Sequence, residues 1–204
     1  MGNRRFLVFV VVALVLLMTP MCAHAAWVKV CIDPGHGGSD PGAVALGDYE
    51  KTFNLDIGLR ARTVFQSDAI TVVMTRTTDV AVSLQGRCDI ANNNGVNRFI
   101  STHCNAGGGT GTETYAYASG TESAHLAGHV QSEMVAHMAT TNRGVKYSGF
   151  YVLLHTNMSA VLGEVAFLDT TADNNKLSST TYRQLAARAY LHGLQASYGQ
   201  TPHL

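Results

Sequence analysis

Four residues with the means for hydrolytic chemistry stand at or near the ends of apolar runs. His36 lies in Asp33-Pro34-Gly35-His36-Gly37-Gly38, directly after the run Trp27 to Ile32. Glu50 comes 14 residues later, at the start of a helical pattern, and His103 closes the run Phe99 to Thr102. Glu164 sits inside the apolar run Ala160 to Leu168, where a carboxylate is costly unless it is paired or working. Two imidazoles and a carboxylate make a donor set that suits zinc and leaves a fourth position open for water. The glycines beside His36 let the backbone pass close to a ligand. Asp33 is a natural partner behind the metal ligands, with its contact unassigned. The separations are long, so spacing alone does not bring these residues together.

The elements that must position them alternate along the chain. Strands are expected at Trp27 to Ile32, Ile70 to Met74, Phe99 to Thr102, Thr112 to Ala118, Phe150 to Leu154 and Ala160 to Phe167. Between them, Phe53, Ile57, Ala61 and Val64 mark a helix from Glu50 to about Phe65. Ser83 reads as the N-cap of a second helix, with Leu84, Cys88 and Ala91 inward and an end near Gly95. A long helix is expected over Ser119 to Asn142, with Ala127, Val130, Met134 and Met138 at core spacing. A last one covers Thr181 to Tyr198, with Leu185, Ala189 and His192 or Gly193 along one side. This order predicts an α/β single domain: a twisted, mostly parallel central sheet flanked by helices on both faces. In such sheets, sites gather where the strand C-termini open into loops, here after Ile32, Thr102 and Val165.

Several motifs occur together and in order: Ile32 to Gly38, Glu50-Lys51, Ser101-Thr102-His103-Cys104-Asn105-Ala106, Gly111-Thr112-Glu113 and Gly163-Glu164-Val165-Ala166-Phe167-Leu168. From about Val28 to Leu194 the chain resembles the zinc-dependent N-acetylmuramoyl-L-alanine amidases of the third amidase class. The resemblance implies one zinc ion held by His36, Glu50 and His103, with Glu164 at the family's catalytic glutamate. It implies hydrolysis of the amide between the lactyl group of N-acetylmuramic acid and the L-alanine of the peptidoglycan stem peptide. Leu154, Ser159 and Asp169-Thr170 depart from the family pattern without touching a ligand position. The segment between His103 and Ser119 is too short for an added inhibitory helix, so a self-blocked enzyme is not expected.

The N-terminus has its own signature. Arg4 and Arg5 precede 13 apolar residues, Phe6 to Met18, and Ala23-His24-Ala25 follows. That run is shorter than the roughly 20 residues of a membrane span, and it predicts an export signal over 1–25 and a catalytic domain over 26–204. An uncleaved anchor and a lipid-bearing Cys22 are the alternatives, although Thr19-Pro20-Met21 lacks the small residues lipid processing prefers. Cleavage takes away two arginines and no acid, leaving 12 basic and 14 acidic residues. A near-neutral chain of this kind carries no nucleic-acid footprint. The expected partner is peptidoglycan or muropeptide, met by an exported monomer outside the cytoplasm. No membrane is engaged once the signal is gone, and an activator protein is not readable. Cys31, Cys88 and Cys104 allow at most one disulfide and a free thiol.

Other polar residues have plainer readings. His125 and His129 share a helix face with Glu122 and Glu133 and read as a solvated surface rather than a metal clamp. Cys104 beside His103 points to the opposite side of an extended segment, so it reads as a packed or disulfide-bonded thiol. His155 and Glu113 admit either a structural role or a place at the substrate. Two rival functions use the same residues: a wall-binding module that has lost turnover, and another zinc peptidase or deacetylase of the wall.

Overall fold

The computed structural model describes residues 28–203. Residues 1–25, where an export signal is expected, and Trp27 lie outside the described residues. Along the chain run β1 (Lys29–Pro34), a short hairpin of β2 (Val44–Ala45) and β3 (Asp48–Tyr49), α1 (Glu50–Ser67), β4 (Thr71–Met74), α2 (Leu84–Asn93), β5 (Arg98–Asn105) and β6 (Thr112–Ala116). These are followed by α3 (Glu122–Met138), β7 (Asn142–Tyr147), α4 (Tyr151–Leu154), β8 (Ser159–Phe167), α5 (Thr171–Ser178) and α6 (Thr180–Ser197). Six strands form one sheet in the order β4-β1-β5-β8-β6-β7. Every neighbouring pair is parallel except β8 with β6. The expected α/β domain with a mostly parallel sheet and helices on both faces is what forms.

The two faces are unequal. On one, α1, α3 and α6 bury Ile57, Phe65, Val130, Met134, Tyr190 and Leu194 against Val30, Ile32, Ile100, Val161 and Val165. On the other, α2 and α4 cover a smaller core of Cys31, Cys88, Ala91, Phe99, Val152, Leu153 and Leu162. All three described cysteines are buried free thiols, so no disulfide joins them and Cys104 is simply packed.

The helical stripes appear where expected. Phe53, Ile57, Ala61 and Val64 face the core from α1; Ala127, Val130, Met134 and Met138 do so from α3. The Ser83 side chain caps α2 by accepting from the Gly86 amide, and Thr121 caps α3 in the same way through Ala124.

Two differences concern the region after α3. That helix ends at Met138 rather than Asn142, with Ala139 in the left-handed region at φ 45°. Asn142–Tyr147 then forms the edge strand β7, which has no apolar run to betray it. Its Arg143 and Lys146 are the kind of charged residue that keeps a sheet edge from pairing further. Conversely, Phe150 to Leu154 is not a strand. Leu153 and Leu154 amides bond back to the Phe150 carbonyl, and adjacent Val152 and Leu153 are buried together. A strand would turn two successive residues to opposite faces; one helical turn can bury both. The hairpin β2-β3 and the polar helix α5 also lacked a periodic apolar signal.

Candidate metal centre and cleft

The strand register gathers the site. Pro34 pairs with Thr102 across β1 and β5, His103 with Glu164 across β5 and β8, and Glu113 with Glu164 across β6 and β8. Thus the loop after β1, the end of β5 and the end of β8 open at one edge. Glu50, the first residue of α1, reaches the same point from the other side of the hairpin.

His36, Glu50 and His103 converge. Their potential ligand atoms all lie within 4.8 Å of one another. The Glu50 carboxylate sits between the rings, with Oε2 3.2 Å from His36 Nε2 and Oε1 2.9 Å from His103 Nδ1. The imidazoles meet edge to face, with centroids 4.9 Å apart. The Glu50 carboxylate also accepts from the Asn54 amide side chain and from the Ala43 and Cys104 backbone amides. His36 itself has positive φ, 59°, and its Nδ1 lies 2.7 Å from Asp40 Oδ2, which fixes the ring.

Two glycines leave room for this arrangement. A Cβ on Gly35 would come within 2.2 Å of the His103 ring, and one on Gly42 within 2.5 Å of the Glu50 carboxylate.

Electrostatics follow from that crowding. Burial works against charge on both partners, but mutual attraction prevails. It holds Glu50 well below the carboxylate range, and the Glu50 and Asp40 carboxylates lift His36 to about 9 despite burial. A His/Glu/His set preformed around one point, with backbone bulk removed by Gly35 and Gly42, fits a divalent metal.

Glu164 stands beside this cluster under different pressure. Its Oε2 is sealed from solvent and has no hydrogen-bond partner. Burial raises its pKa to about 7; the Glu50 and Glu113 carboxylates add to that, and the nearby imidazoles oppose it. The side chain lines a cleft of about 390 Å³ together with His36, His103, Phe150, Tyr151 and Leu162. It is thus a carboxyl poised to take or give a proton near neutral pH.

Comparison with known proteins settles the family. Residues 30–196 match the model of the N-acetylmuramoyl-L-alanine amidase family. The chain is 41% identical over 174 residues to the sporulation-specific N-acetylmuramoyl-L-alanine amidase of Bacillus subtilis, covering 84% of this chain and 68% of that protein. Its fold is similar to a crystal structure of an N-acetylmuramoyl-L-alanine amidase from Clostridium difficile, with TM-score 0.82 and 33% identity over 86% of this chain and 98% of the other. The catalytic domain of the amidase CwlV from Bacillus (Paenibacillus) polymyxa gives TM-score 0.80 and 32% identity, covering 84% and 98%.

The chain is an N-acetylmuramoyl-L-alanine amidase by family.

In this amidase the residues behind His36, Glu50 and His103 were the least legible. Asp33 now has its contacts: Arg87 and Thr75 donate to Oδ1 at 2.6 Å, and Ser101 to Oδ2 at 2.7 Å. Arg87 in turn donates to the Pro34 and His36 carbonyls, and Arg76 to those of Pro34, Gly35 and Lys51. Two buried guanidinium groups thus grip the loop that carries His36. Arg87, Cys88 and Ala91 form the buried face of α2, whereas Leu84, expected to point inward, is 55% exposed at the first turn of the helix; an arginine among those apolar positions was the available signal. Arg76 and Asn54 gave none.

The remaining polar residues sort out. Glu113 accepts from Arg143, Lys146, Tyr115 and Asn105, tying β6 to β7. His155 stacks on Tyr151 and lies outside the residues that line the cleft. His125 is exposed and meets His129 edge to face. Asp169 accepts from the Gly107 and Gly108 amides and Thr170 donates to the Gly109 carbonyl, so this departure from the family pattern secures a glycine-rich turn. Leu154 and Ser159 line a second, shallower hollow with Tyr117 and Met158.

Proposed function

We propose that this amidase holds one zinc ion through His36, Glu50 and His103 and uses Glu164 as its proton-transfer residue. The bond cut is the amide joining the lactyl carbonyl of N-acetylmuramic acid to the L-alanine nitrogen of the stem peptide. The observation that carries this reading is the pairing of two unlike sites on one sheet edge, where His103 of β5 is the register partner of Glu164 of β8. One is a preformed nitrogen and oxygen donor set; the other is a carboxyl with an unpartnered oxygen and a pKa near 7.

Zinc, when bound, supplies Lewis acidity, which activates water and polarises a carbonyl near neutral pH. The chain's own residues do the rest. Glu50 neutralises charge between the two imidazoles, and Asp40 fixes the His36 ring so that Nε2 faces inward. Glu164 takes a proton from the attacking water as the C–O bond forms. It then returns that proton to the alanine nitrogen as the C–N bond breaks, so the peptide leaves as a neutral amine. Phe150, Tyr151 and Leu162 give the cleft an apolar wall that excludes bulk water from the reacting atoms. We further propose that residues 1–25 export the chain, in keeping with a substrate outside the cytoplasm.

Glu164→Gln and His36→Ala separate the roles. With purified wall as substrate, Glu164→Gln is expected to lose turnover by about 10²-fold or more while zinc content stays at the wild-type level. His36→Ala is expected to lose both. Mass spectrometry of the digest should find new L-alanine amino ends and no new glycan reducing ends. Retained cutting in Glu164→Gln, or cleavage inside the peptide, would remove this mechanism.

A further inference from the structure

A second group of metal-binding side chains lies where α3 packs on α6. The two helices touch backbone to backbone at Gly193, where a Cβ would stand 2.6 Å from the Val130 Cα. This close approach lets short donor groups from the two helices meet. Glu133 and His137 are one turn apart on α3 and face His192 of α6. His137 Nε2 and His192 Nδ1 are 2.8 Å apart; Glu133 Oε2 is 3.5 Å from the first and 3.7 Å from the second.

Those three edges define a triangle with a point about 2.0 Å from every corner, which is the length of zinc–nitrogen and zinc–oxygen bonds. The carboxylate oxygen is the informative member. A simple hydrogen-bonded cluster would draw it to about 2.8 Å from one nitrogen. Instead it stands almost equally far from both, as a ligand does when three atoms face a common centre. All three residues are half-buried, so an ion there is partly shielded yet reachable from solvent. None of the three lines the cleft. The reading of Glu133 as part of a merely solvated face, alongside His125 and His129, thus gives way: it turns toward α6.

We propose that Glu133, His137 and His192 form a second zinc site that clasps α3 to α6. The donor set is again two imidazoles and one carboxylate, which favours zinc over the oxygen-seeking ions magnesium and calcium. With both helices tied at one point, ion binding stabilises the folded chain by linkage. Because the site is outside the cleft, its loss leaves wall hydrolysis unchanged. This proposal does not depend on the assignment of the cleft ion.

Zinc stoichiometry tests it. Wild-type chain, His192→Gln and His137→Ala are each equilibrated with zinc chloride, freed of excess and assayed for bound metal. Wild type is expected to hold two equivalents and either variant one, with unaltered wall hydrolysis. A His36→Ala/His103→Ala chain, which keeps only the helix site, is expected to hold one and to show a cobalt absorption spectrum of tetrahedral type. It should also gain thermal stability on zinc addition, a gain that His192→Gln removes. If His192→Gln binds as much zinc as wild type, the site does not exist. That comparison decides the matter even if the double variant fails to fold.

Discussion

At the scale of single residues, the chemistry rests on groups held under electrostatic tension by neighbours outside the reaction. Asp33 and Arg87 show this most directly. Both are almost fully buried, at 1% and 4% exposure, and they are joined at 2.6 Å. A buried pair of this kind adds little net stability over an apolar isostere, but removing one partner strands the other charge. Arg87→Met is therefore expected to cost about 3 to 5 kcal/mol, measured by urea unfolding. It also frees the Pro34 and His36 carbonyls that Arg87 holds, so residual folded protein should bind zinc more weakly. Asp33→Asn/Arg87→Met, which removes both charges, should recover much of the stability but not the zinc affinity. Equal losses of stability in the single and double variants would show that the pair is not a coupled unit.

At the scale of elements, the sheet edge formed by β6 and β7 depends on one carboxylate. Burial disfavours charge on Glu113, yet Lys146, Arg143 and Tyr115 overrule it and hold the group at about 2. A carboxylate whose folded value is depressed contributes stability that is present above its ordinary value and lost as pH falls through the folded value. The window here runs from about 4.5 down to about 2. Arg143 and Lys146 lie at the solvent edge, which screens the pair, so Glu113→Gln should cost about 1 to 2 kcal/mol at pH 7. That difference from wild type should shrink below pH 4.5 and vanish near pH 2; a gap that is constant with pH would mean packing, not charge, joins these strands. The same edge shows what sequence could convey. α1, α3 and α6 were legible because an apolar stripe repeats every turn against a large core. β7 was not, because an exposed edge strand needs charge rather than alternation. α4 was misread because the five-residue apolar run Phe150 to Leu154 fits a strand or a single helical turn equally well. His36, Glu50, His103 and Glu164 were legible as chemistry, but only the ordered motifs brought them together. Arg76 and Asn54 stayed hidden since nothing in a sequence states which carbonyl an arginine will reach.

At the scale of the whole molecule, the question is whether the proposed ion would hold the domain together or merely work in it. The core on both faces of the sheet is apolar and continuous without reference to the metal cluster. The cluster is also self-consistent without an ion. Glu50 is neutralised by His36, whose imidazole keeps its proton up to about 9, and three further donors satisfy its oxygens. A small zinc domain without such a core unfolds when its metal is removed. This one is not built that way. A chelator is therefore expected to abolish wall hydrolysis while leaving the far-ultraviolet circular dichroism and the cooperative unfolding transition in place. The midpoint should fall, because an ion that binds only the folded state stabilises it in proportion to the logarithm of its excess over Kd. Zinc alone should restore both midpoint and activity. Loss of the cooperative transition on chelation would mean that the ion is part of the core. The domain would then be a metal-dependent fold rather than a stable scaffold that lends one edge to catalysis.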